Sequence, residues 1–80
     1  MNEKQRQKNE LEYERWIEKK DGGRIYSFEI SGKAGWKAKY LKEVNNEEMT
    51  IRFWQEMYDD KNMLREIHEK YPVDKGHQKL

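Results

Sequence analysis

From Arg24 to Val44 the chain reads R-I-Y-S-F-E-I-S-G-K-A-G-W-K-A-K-Y-L-K-E-V, and over most of it polarity alternates residue by residue. Tyr26, Phe28 and Ile30 alternate with Ser27 and Glu29, while Trp36, Ala38 and Tyr40 alternate with Lys37 and Lys39. A period of two sends alternate side chains to opposite faces of a strand, so each run is a half-buried strand with one wet face. The intervening S-G-K-A-G is a short glycine-containing loop, and the pair reads as an antiparallel hairpin.

Residues 2–20 follow another pattern. They are rich in Glu, Lys, Gln and Arg, all good helix formers, and run into K-K-D-G-G, which has cations followed by glycines in the manner of a helix end. Tyr13, Trp16 and Ile17 stand at i, i+3 and i+4, a short apolar face from which Leu11 points away. The pattern predicts a helix over 2–20 that docks by its second half. The first ten residues carry no apolar side chain beyond Met1 and are expected to fray or extend into solvent.

After Asn45-Asn46 the period is ambiguous. As helices, Phe53, Trp54, Met57 and Tyr58 make one stripe and Leu64, Ile67, His68 and Tyr71 another. As strands, Met49 to Tyr58 is dense in Thr, Ile, Phe, Trp and Tyr, which suit a pleated surface, and Asp59-Asp60-Lys61-Asn62 fits a turn with Asp first and Asn in the left-handed position. The strand reading is preferred, with Pro72 ending the last element because it lacks a backbone N–H. The sum is one α+β domain spanning 1–80: an N-terminal helix packed on a four-stranded antiparallel meander over 24–71, followed by a tail at 72–80.

Composition sharpens this picture in two respects. Charged residues are 41% and hydrophobic residues 34%, close to the disordered corner, yet three Trp, five Tyr and two Phe supply large burial per side chain. A chain this short buries only about 60% of its unfolded surface, so the core is thin and an aromatic sheet face is left seeking cover. The net charge of +1 provides no overall field for nucleic acid or an anionic membrane, so any such surface has to be local. Absence of cysteine removes disulfides, thiolate metal sites and a cysteine nucleophile. No stretch reads as a signal peptide or a membrane span, and the expectation is a cytoplasmic protein that does not engage membranes.

Two constellations carry candidate chemistry. The first is Glu66, His68, Asp74, Lys75 and His77. On a strand Glu66 and His68 share a face, and a tail turning at Pro72 and Gly76 brings Asp74 and His77 toward them. Two histidines with carboxylates beside them suit metal-free phosphodiester cleavage, one as base and one as acid, with Lys75 stabilising developing charge. The spacing matches no zinc pattern, and no metal or other cofactor is expected. The second is the basic run Lys33, Lys37, Lys39 and Lys42 interleaved with Trp36 and Tyr40, a combination that holds single-stranded nucleic acid by phosphate attraction and base stacking. Alternation, however, sends Lys37 and Lys39 to the face opposite Trp36 and Tyr40.

The C-terminal half, W-Q-E-M-Y-D-D-K-N-M-L-R-E-I-H-E-K-Y-P-V-D-K-G-H, resembles small conserved hypothetical proteins of prokaryotes. Its ending D-K-G-H, Asp74 to His77, is similar to the Asp/Gly/His-bearing segment of TumE-type toxins of toxin–antitoxin systems, with Gln78-Lys79-Leu80 where that segment has a second histidine. That resemblance implies a nuclease role for His77. The composition favours a small binding protein that self-associates as a homo-oligomer through an aromatic sheet face, or joins a protein partner. The alternatives are a metal-independent ribonuclease-like toxin using His68 and His77, and a small module that binds single-stranded nucleic acid such as RNA.

Overall fold

The structure, a computed structural model, describes residues 2–80. It is α+β: helix α1 (Glu3–Glu12) is followed by strands β1 (Arg15–Glu18), β2 (Arg24–Ser31), β3 (Lys37–Val44), β4 (Thr50–Tyr58), β5 (Leu64–Tyr71) and β6 (Gly76–Lys79). The strands form one antiparallel sheet in meander order, each paired with the next in sequence. The β2–β3 hairpin and the strand reading of 46–71 both stand. Asp59 Oδ1 accepts from the N–H groups of Lys61 and Met63, and Asn62 takes the left-handed conformation at φ 63°.

The sheet has six strands, and the two beyond the expected four lie in segments read as helix and tail. The helix over 2–20 is corrected to Glu3–Glu12, because K-K-D-G-G is a hairpin turn. Asp21 Oδ1 accepts from Gly23 N–H, Gly22 sits at φ 88°, and Lys19 and Gly23 close the loop. Asp-Gly is a strong hairpin signal as well as a helix stop, and the strand pairing of Trp16 with Tyr26 decides between them. The tail is likewise partly strand: Gly76 to Lys79 pairs with Glu66 to Glu69.

Helix docking also differs from expectation, since the first turns dock and they do so through polar groups. Arg6 reaches Glu48 (3.1 Å), Glu10 reaches Arg24 (2.6 Å), and Asn9, fully buried, accepts from Lys42 Nζ (2.9 Å). Leu11 is left in solvent. Asn2 caps the helix by accepting from Gln5 N–H. A helix held in this way leaves no apolar periodicity in the sequence.

Register assigns the two faces. Trp16, Tyr26, Phe28, Tyr40, Lys42, Phe53, Gln55, His68 and Lys70 point to the helix side, whereas Ile25, Leu41, Trp54, Ile67 and Glu69 point away. Among the described residues the far face has no second layer, and its own charged side chains seal it. Arg52 lies 3.8 Å from the Trp54 ring centre and forms a forked pair with Glu69, while Glu56 accepts from Trp54 Nε1 and from the Tyr58 hydroxyl. Burial and the Glu56 bond raise Tyr58 to about 12. The Arg52 bond lowers Glu69 from its ordinary 4.5.

A depressed folded-state carboxyl means that the unfolded chain binds protons first as pH falls. The contribution of Glu69 is therefore complete above pH 4.5 and declines below it. Urea melts at neutral pH and below pH 4.5 are expected to show a smaller acid-induced loss in Glu69→Gln than in the wild type. An equal loss in both would contradict the pairing.

Candidate functional site

The helix-side face is closed at one end and open at the other. At the helix end Tyr13 packs its ring against Tyr26 (5.6 Å) and Phe28 (5.5 Å), and Phe28 stacks on Tyr40 at 5.0 Å. Beneath them lies a buried charge network: Glu48 accepts from the Tyr26 hydroxyl and from Arg6, and Arg24 lies against Trp16 and Tyr26. Burial, then the Glu48 bond, raises Tyr26 to about 12. Burial alone would lower Arg24, but its bonds to Glu10 and Tyr26 outweigh that and keep it protonated.

Past the helix an open depression of about 610 Å³ is lined by Tyr13, Lys42, Met49, Thr50, Phe53 and Tyr71. Lys70 lies beside it with its ammonium 5.1 Å from the Tyr40 ring centre and 5.6 Å from that of Phe53. Lys42 Nζ is 5.9 Å from the Tyr13 ring centre and donates to the Asn9 amide oxygen. Neither lysine forms an ion pair among the described residues, and Asp74 is the carboxylate that feels Lys70. On the far face the cations are matched. Lys37 faces Glu29, and Lys39 stands directly across from Glu29 on one neighbouring strand and Glu56 on the other.

The proposed basic run is thus divided. Lys42 joins the aromatic face, Lys37 and Lys39 lie on the sealed one, and Lys33 sits in the β2–β3 turn. Lys70, Phe53, Tyr13 and Tyr71 were not anticipated as site residues. Locating Phe53, Lys70 and Tyr71 on one face needs the β4–β5 register, which shifts at Phe53/Trp54 and Met57/Tyr58, so alternation counted along the sequence loses the face.

The histidine and carboxylate constellation largely assembles at the open end. His68 and His77 are directly opposite across β5 and β6, with ring centres 4.4 Å apart. His68 Nε2 donates to Asp74 Oδ1 at 2.6 Å, and His77 Nδ1 lies 3.6 Å from Glu66 Oε1. The Gly76 N–H bond and then His68 hold the Asp74 carboxyl below its ordinary range. Lys75 stays apart, near Glu69 and Arg52 in a shallow hollow at the end of the sheet. With Nε2 engaged and Nδ1 buried without a partner, His68 has no nitrogen open to a substrate, so acid–base work would require its ring to leave Asp74.

Comparison with known protein families, curated proteins and solved structures finds no match. The geometry therefore carries the functional argument. Among the described residues no group of His, Asp and Glu is arranged to hold a metal ion, and no helix is long and apolar enough to cross a membrane.

Proposed function

We propose that the protein binds single-stranded nucleic acid along the helix-side face, from the Tyr13 and Lys42 depression past Phe53, Tyr40 and Lys70. The observation that carries this reading is the pair of lysines that form no ion pair among the described residues and lie over aromatic rings, on the face without a charged seal. Bases have a π-face that stacks on such rings whatever their sequence, and phosphates supply a direct anionic contact for Lys42 and Lys70. Phe53→Ala is expected to weaken binding of an oligouridylate by about 1–3 kcal/mol, the worth of one base stack. Lys70→Gln should lower the slope of log affinity against log salt by about 0.7, the share of one phosphate on a single strand. Fluorescence anisotropy across a salt series measures both. Unchanged affinity and slope in the two variants would overturn the reading.

A second reading, self-association, is favoured by Met49 and Tyr71 at the rim of the depression and by Ile51 and Val73 beyond it, all exposed. A two-fold contact there would desolvate Lys42 and Lys70 without giving them anions, which is why nucleic acid comes first. Sedimentation at micromolar concentration separates the two: a dimer that oligonucleotide does not dissociate would favour self-association.

A further inference from the structure

We propose that His77 is a proton-operated phosphate contact at the β6 end of this face, so that single-stranded nucleic acid is held more tightly in mildly acidic solution. The inference rests on the nucleic-acid reading above. His77 shares the face with His68, directly across the ladder, and Lys70 follows His68 on the same side about 7 Å along β5, the rise of two residues. A strand stacked at Phe53 and Tyr40 and held by Lys70 thus has its next phosphate within reach of the imidazoles.

The charges around His77 balance until it takes a proton. Glu66, His68 and Lys70 face it from β5, Asp74 from the turn, and Lys79 from two residues along its own strand. From β4 the residues across from His68 and Glu66 are Gln55 and Met57, both uncharged. Two carboxylates therefore oppose two ammonium groups, and one proton on His77 tips the cluster positive. Histidine is the side chain whose charge ordinarily changes between about pH 5 and 8. His77 is suited to this because its side chain is 52% exposed and its contact with Glu66 is too long for a hydrogen bond. His68, by contrast, has Nε2 engaged by Asp74 and Nδ1 buried, so neither nitrogen is open to a phosphate.

The test is anisotropy of labelled oligouridylate and oligodeoxythymidylate at about pH 7.5 and about pH 5.5, at one ionic strength. Wild type is expected to bind roughly two- to fivefold more tightly at the lower pH, the worth of one exposed charge contact. His77→Gln should bind as wild type does at the higher pH and lose the gain. His77→Lys, charged throughout, should bind at the higher pH as wild type does at the lower. A full pH gain retained in His77→Gln would overturn the inference and leave the binding face standing, whereas no binding by wild type at either pH would overturn both.

Discussion

Trp54→Ala is expected to be the most damaging single substitution in the sheet, costing about 3–5 kcal/mol, the usual range for deleting a buried aromatic. Trp54 is 5% exposed and stands directly opposite Leu41, the other buried apolar side chain of the far face. No helix or second sheet lies there to collapse into the space, and the groups above it, Arg52 and Glu56, are charged and would meet an apolar cavity. The whole domain is worth only about 4–12 kcal/mol at ordinary per-residue stability, so the loss is about a quarter of the total or more. Urea denaturation followed by circular dichroism measures this. Trp16→Ala, at a position 38% exposed on the edge strand, should shift the midpoint far less, and equal shifts would contradict the sealed-face description.

Glu48→Ala should come next, at roughly 3 kcal/mol, because it strands buried partners. Glu48 is 3% exposed, and its carboxylate receives the Tyr26 hydroxyl and Arg6, tying the loop before β4 to both β2 and α1. Among the described residues it is also one of three other than glycine with positive φ, at 62°. That conformation costs an L-residue about 1 kcal/mol or more, a strain that the buried bonds hold in place. Glu48→Gly relieves the backbone and loses the same bonds, so it should be about 1 kcal/mol more stable than Glu48→Ala. If alanine and glycine are equally tolerated, the strain is not real. Loss of helical signal in both variants before the sheet melts would identify the Arg6–Glu48 bond as the tether of α1.

These positions also explain which parts of the fold were legible. The β2–β3 hairpin, the Asp59 turn and the stop at Pro72 were readable because each is written locally, in alternation or in residues with a fixed backbone preference. The short edge strands were not. Trp16 and Ile17 fit a helical spacing as well as a strand, and only the partner Tyr26, ten residues on, resolves them. Helix docking was hidden because Arg6, Asn9 and Glu10 look like solvent residues until Glu48, Lys42 and Arg24 stand beside them.

The candidate site divides in the same way. Glu66, His68, Asp74 and His77 were found together because a strand and a following turn suffice to gather them. The aromatic platform was not found as a unit, since Lys42, Phe53 and Lys70 come from three strands whose register is offset by bulges.

The measurement that bears most directly on the central claim is a chemical-shift titration of the labelled protein with a single-stranded oligonucleotide. Shifts are expected at Tyr13, Tyr40, Lys42, Phe53 and Lys70, with Leu41, Trp54 and Ile67 on the sealed face unmoved, and duplex of the same length should leave the spectrum unchanged. Perturbation centred on the sealed face, or none at concentrations that saturate the anisotropy signal, would contradict the claim that the helix-side face is the binding surface.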